Sequence, residues 1–255
     1  MRLSIIVPVL NEAAQIDDFL SHLIAEAPGA EVLVADGGSA DDTARLAARQ
    51  ARVIGAPRGR ARQMNAGAAA TGGDVLWFLH ADSRLPPGAV AAIDRLLHAP
   101  RVAGGCFRLR IPQPHLLYRW SDTVGNAAVD LFRLACGDHG IFLRRAVFEA
   151  IGGYRETPLL EDLDLYRRAR AYGRMRQIPA AITTSPRRWQ TQGLLRTTAI
   201  DTLLLALYAG GAPLPWLCAL DRRLRKIARQ PLDSLLLEQG KSGTTGKQYM
   251  GRTRL

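Results

Sequence analysis

The chain has 255 residues, 47% of them hydrophobic, and a formal net charge of +11 carried almost entirely by arginine. That length and apolar content can bury a real core, and they suit one large α/β domain with an appendage better than two full domains. Three widely spaced cysteines, Cys106, Cys136 and Cys218, with no Cys-x-x-Cys pair, exclude a disulfide framework or a thiolate metal site and point to a reducing cytosol. The first apolar run stops at Pro8, too short for a signal segment or a membrane span, so a cytoplasmic location is expected. The positive charge suits nucleic acid, an anionic membrane surface or a phosphate-bearing ligand, and arginine favours the last through its paired donors. An arginine-rich genome gives the same bias, so charge alone does not choose.

In chain order, residues 2–10 read as a buried strand and 12–27 as a helix, followed by a strand at 31–35 and a helix at 41–51. A short strand at 53–54, a small-residue helix at 60–70, a fourth strand at 74–79 and a helix at 87–98 with proline in its first turn complete the first hundred residues. This alternation predicts right-handed βαβ units and a mainly parallel sheet, with ligands at the carboxyl ends of the strands. Further on, 101–111 and 140–143 read as strands, 115–134 and 163–172 as largely helical, with a turn at Gly152-Gly153 between them. Residues 175–184 are expected to form an edge strand because Pro179 lies inside them. Helices at 192–208 and 216–229 are split by a Gly- and Pro-rich break at 210–215, and 240–255 has the composition of a disordered tail.

Polar residues after each strand are the candidates for chemistry. Strand one ends in Pro8-Val9-Leu10-Asn11-Glu12 and strand two in Asp36-Gly37-Gly38-Ser39, where a carboxylate before glycines can meet a base or ribose. The same residues also serve as a tight turn with a helix cap. Arg58, Arg60 and Arg62 around a helix start can clamp a diphosphate, or form a solvated basic turn. Strand four runs into His80-Ala81-Asp82, whose imidazole and carboxylate can hold a divalent ion, although a histidine at a strand end is often only a satisfied polar residue. Glu161 and Asp162 open a later helix, as dipole partners or as a general base on a sugar or lipid hydroxyl. Arg187, Arg188 and Trp189 offer two cations beside an indole, a lid or a packed surface turn.

Taken in order, Pro8-x-x-Asn11-Glu12, Asp36-Gly37-Gly38-Ser39, Asn65-x-Gly67, His80-Ala81-Asp82, Gly152-Gly153-Tyr154, Glu161-Asp162 and Arg188-Trp189 resemble the inverting family-2 glycosyltransferases with the GT-A fold. A small bacterial subgroup of uncertain substrate is the part of that family it is most similar to. The resemblance covers roughly residues 1–195. It implies a nucleotide-sugar-binding half over 1–100, an acceptor half over 101–195, and a helical appendage at 196–232. It also implies a nucleotide-sugar donor and a divalent cofactor, Mn²⁺ or Mg²⁺. Donor contacts would fall to Pro8, Asn11, Glu12, Asp36, Arg60, Arg62, Asn65, His80 and Ala81, and the metal to Asp82. Asp162 would be the base, with Glu161, Arg188 and Trp189 closing over acceptor or diphosphate. His80 stands where the family usually has the first Asp of Asp-x-Asp. Ser185 stands where processive members have Gln, so one sugar per turnover is expected.

Other classes fit less well. A nucleotidyltransferase would place a Gly-rich basic loop after strand one, and a dinucleotide dehydrogenase a G-x-G-x-x-G there. The arginines are not interleaved with aromatics, so no nucleic-acid partner is expected. No charge lies between Asp201 and Asp221, and a basic cluster follows. Two short helices over 199–229, packed on the domain or lying on the inner membrane surface, would suit a lipid-linked acceptor.

Overall fold

A computed structural model describes residues 1–157 and 159–227. The predicted tail at 240–255 and the end of the predicted appendage lie outside the described residues. The centre is an eight-stranded sheet in the order β3-β2-β1-β4-β7-β6-β8-β5. The first four strands in space, β3 (Arg52–Gly55), β2 (Glu31–Asp36), β1 (Leu3–Val9) and β4 (Val75–Phe78), are parallel as the alternation predicts. β7 (Phe142–Arg144) then runs antiparallel between β4 and β6 (Val102–Arg110). β6 pairs in parallel with β8 (Arg174–Thr184), and a two-residue strand, β5 (Ser83–Arg84), closes the far side antiparallel to β8.

Period-two alternation assigns the two faces. Leu3, Ile5, Val7 and Trp77 point into a core with α1 (Ile16–Glu26), α2 (Thr43–Ala47) and α4 (Ala89–Leu97). Ile6, Leu76 and Phe78 point the other way, against α3 (Arg60–Ala69), α6 (Arg145–Ala150) and α7 (Glu161–Ala169). A third cluster joins Leu163 of α7 to α9 (Leu194–Ala209) and α10 (Leu214–Ile227). Layers of helix on both faces of a mostly parallel sheet are what continuous Ile/Val strands require.

Three expectations are refined. β8 is an edge strand around Pro179 as expected, since β5 pairs only with its last two residues, Thr183 and Thr184, and a bulge absorbs the proline. Phe107 pairs with Ile178 but Arg108 with Ala181, so Pro179 and Ala180 are looped out where proline has no N–H to donate. The predicted helix at 192–208 is α9, and a separate short helix, α8 (Arg187–Gln192), precedes it, divided from it at Gly193 with φ of 88°. The predicted helix at 115–134 is α5 (Leu116–Ala127) followed by a π-helical turn at Ala128–Phe132.

Two adjacent glycines let β6 fit between its neighbours. A Cβ on Gly105 would stand 2.2 Å from the Arg176 carbonyl oxygen, and one on Gly104 2.2 Å from that of Phe142. Both obstacles are backbone and cannot swing aside. Gly105→Ala is therefore expected to cost about 1–3 kcal/mol or more of stability, read from urea denaturation midpoints.

Candidate functional site

The carboxyl ends of β1, β2 and β4 lie on one rim of the sheet. Gln63 of α3 fixes that rim by donating through Nε2 to the carbonyls of Val9 and Ala35, both at 2.8 Å. Beyond β2, Asp36 accepts from the backbone N–H of Gly38 at 3.1 Å and of Ser39 at 3.0 Å. Asn11, held at φ 56°, accepts from the Ala40 N–H at 2.8 Å and donates its own N–H to Ser39 Oγ. Pro8 lies inside β1, paired in register with Ala35. These residues make a rigid loop from two strand ends. Glu12 meets Arg187 of α8 at 2.9 Å, which ties the start of the chain to its last third.

Asn65 has a structural task that its motif does not spell out. Its Nδ2 donates to the Tyr154 carbonyl and its Oδ1 accepts from the Tyr154 N–H, both at 2.9 Å. Gly152 and Gly153, at φ 73° and 67°, make the turn that brings Tyr154 there, and only a residue without a Cβ fits, since one on Gly153 would meet Asn65 Oδ1 at 2.7 Å. Arg168 locks the same turn through the carbonyls of Ile151 and Gly153.

At the end of β4 the structure brings together what the sequence keeps apart. His80, Asp82 and Asp138 each offer a ligand atom, and these atoms all lie within 4.8 Å of one another. His80 Nδ1 and Asp138 Oδ1 are 3.1 Å apart. Asp138 belongs to a one-turn 3-10 helix, Gly137–His139, immediately before β7. Because β7 runs against β4, residues preceding β7 fall on the rim where residues following β4 end. Gly137 is the hub: a Cβ there would lie 2.5 Å from His80 Nε2 and 2.6 Å from Asp162 Oδ2. Asp162 is 5% exposed, and Glu161 beside it pairs with Arg60 at 3.7 Å.

The electrostatics follow from this crowding. Burial pushes the Asp162 carboxyl up to about 6, with the neighbouring Glu161 charge adding to it. Burial likewise raises Asp82, and the Asp138 charge raises it further. Against the cost of burial, the hydrogen bond to His80 and the charges of His80, Arg188 and Arg60 hold Asp138 well below the usual carboxylate range. Burial opposes charge on His80, yet its bond to Asp138 prevails and its pKa is raised.

Among the other expected residues, Arg60 faces the carboxylates, whereas Arg62 is paired with Glu156 at 2.7 Å in an exposed bridge. Arg188 is paired with Asp201 and stacks over Trp189, 5.1 Å from the ring centroid. Trp189 is 6% exposed and packs edge-on to Tyr118, which makes it a wall. Ala81 is buried in the core between His80 and Asp82. Asp138 escaped the sequence reading, since a lone acid in a loop has no periodicity. Its only trace is an acid–histidine pair bracketed by Gly137 and Gly140 ahead of an apolar strand.

Comparison with known proteins agrees with this architecture. The family described as glycosyl transferase family 2 matches residues 4–152. An uncharacterised Mycobacterium tuberculosis protein, MT1568, is 28% identical over 145 residues, which cover 54% of this chain and 45% of that one, so the match spans about half of each. Among solved structures, the Pyrobaculum calidifontis mannosyltransferase PcManGT, in complex with GDP-Man and Mn²⁺, superposes with a TM-score of 0.64 at 18% identity, over 94% of this chain and 79% of that one. Glucosyl-3-phosphoglycerate synthase of M. tuberculosis, with Mn²⁺, UDP and glucosyl-3-phosphoglycerate, gives 0.58 at 18% identity, over 83% and 81%. At these identities the solved structures bear on the fold, which is GT-A. With more than half of its length matched by the family, the chain belongs to glycosyl transferase family 2.

Proposed function

We propose that the chain moves one sugar, with inversion, from a nucleoside diphosphate sugar to an acceptor hydroxyl, using a divalent ion at His80, Asp82 and Asp138. The observation that carries this is the convergence of these three residues with Asp162 around Gly137. Their chemistry fits such an ion. Two carboxylates and one imidazole meet within 4.8 Å, and His80 Nε2 is buried with no partner among the described residues. Carboxylates suit Mg²⁺ and Mn²⁺, and the imidazole favours Mn²⁺ of the two. When bound, the ion would offset the diphosphate charge.

The chain's own groups divide the remaining work. Asp36 and the Asn11–Glu12 loop form the floor for base and ribose. Arg60, already among carboxylates, is placed to meet phosphate oxygens better than Arg62. Asp162, its pKa raised towards neutrality, takes the proton of the attacking hydroxyl. Glu161 keeps Arg60 in place, and Arg188 with Trp189 borders the acceptor side. The two neighbours above, whose names carry GDP-Man and UDP with Mn²⁺, support a nucleotide-sugar donor.

Calorimetry with UDP, GDP and their sugar conjugates, with and without Mn²⁺, tests this reading. Metal-dependent binding of one diphosphate is expected, abolished in Asp82→Ala and in Asp138→Ala. An absence of nucleotide binding in every condition would sink the donor site.

A further inference from the structure

A cavity of about 180 Å³ opens between α5, α7, α8 and α9. Leu109, Val124, Leu134, Leu163, Leu204 and Leu205 supply much of its apolar face. Asp138 and Arg188 line it as well, so one end of the cavity meets the carboxylate cluster through Asp138. We propose that this cavity holds the hydrocarbon body of the acceptor, an alcohol whose hydroxyl reaches the Asp138–Asp162 end. The inference rests on the glycosyl-transfer reading above and names the acceptor class for the same site.

Three observations favour a hydrocarbon over a sugar or a phosphorylated acceptor. Seven leucines and one valine are the largest group in the lining, beside the hydroxyls of Ser121, Thr198 and Thr202; an apolar cavity of about 150 Å³ already takes a benzene ring, so a ring or a short alkyl segment fits against this face. The cations of its charged wall are engaged: Asp201 pairs with Arg188 and, at 2.8 Å, with Arg225. A phosphate would have to break that network. Outside the cavity, the helices that build it carry exposed apolar side chains at helical spacing. These are Leu116 and Trp120 on α5, 85% and 54% exposed, and Leu195 and Leu203 on α9, 72% and 45% exposed. A longer chain leaving the cavity would run over them. In the transfer, the alcohol oxygen bonds to the anomeric carbon as the bond to the diphosphate breaks. The electron pair leaves with the nucleoside diphosphate, and the hydroxyl proton passes to Asp162.

The test uses the full chain and octan-1-ol, with glycerol as the polar control, by calorimetry. Ser121 and Thr202 line the cavity, and Ser121→Phe or Thr202→Phe would fill it. Saturable one-to-one binding of octan-1-ol is expected, weakened at least about tenfold in both variants (~1.4 kcal/mol), with nucleotide and Mn²⁺ binding unchanged. Co-sedimentation with phosphatidylcholine vesicles, with and without octadecan-1-ol, separates the sources. Pelleting that requires octadecan-1-ol supports a membrane-resident alcohol, and octan-1-ol binding without pelleting supports a dissolved one. Failure of octan-1-ol to bind, equal binding of glycerol, or unchanged binding in both filled variants would overturn the proposal. Loss of nucleotide binding with octan-1-ol binding intact would instead count against the donor site.

Discussion

Asp162→Asn is expected to lower turnover by about 10²- to 10⁴-fold, the range a positioned general base supplies, with nucleotide binding preserved. Asparagine keeps the shape and removes only the basic oxygen, so a structural role would predict a much smaller loss. Steady-state kinetics beside calorimetry separates the two. A second effect has the opposite sign. A carboxyl with an ordinary pKa of 3.8 sits here at about 6, so the folded state holds its proton more tightly than the unfolded chain does. The stability this gives is present below the ordinary pKa and is lost as pH rises towards 6. At pH 7, with chelator present, Asp162→Asn should therefore be more stable than the parent by about 3 kcal/mol, and the gap should close below pH 4. A thermal melt at both pH values reads this directly. A mutant that is less active, and no more stable at pH 7, would argue that Asp162 is not held against its burial.

Asp164→Ala is expected to destabilise the fold by about 3–5 kcal/mol, the largest loss anticipated for a residue outside the rim. Asp164 is 3% exposed and meets Arg168 at 2.7 Å and Arg155 at 3.5 Å. Its removal leaves the Arg168 guanidinium half-buried with no counter-charge, while two of its donors still hold the carbonyls of Ile151 and Gly153. The Gly152–Tyr154 turn should loosen with it. Removing both partners, Asp164→Ala with Arg168→Met, should cost less than the sum of the single changes, because no orphaned charge remains. Urea titration of the four proteins completes the cycle, and strict additivity would contradict the buried pairing.

The sequence was legible where chemistry follows periodicity. β1, β2 and β4 are continuous apolar runs, and the residues ending them, Asp36 and Asp82, could be picked out because ligands gather at such ends. Legibility failed where the chain reverses. The rule of looking after a strand holds for parallel strands; for β7 the relevant residue, Asp138, comes before it. The contact of Asn65 is hidden for another reason: its amide serves Tyr154 from a long way along the chain, and no local pattern records the partner. Pro179 marks a free edge as the sequence suggests, but one sequence cannot show register, and the bulge that absorbs it exists only in the pairing with β6. Arg187 was visible as one of two adjacent arginines, but its link to Glu12 spans nearly the whole domain.

The insertion of β7 beside β4 also bears on how the protein is made. β4 is buried along its whole length, yet the strand that covers its outer edge, Phe142–Arg144, is translated roughly sixty residues later. At about 5–20 residues per second, the nascent chain carries that bare edge for several seconds. An apolar strand with unpaired N–H and C=O groups invites pairing with another chain. Slow translation between α4 and β7 would prolong that exposure, and yield of soluble protein should therefore respond to codon choice in that interval more than in any other.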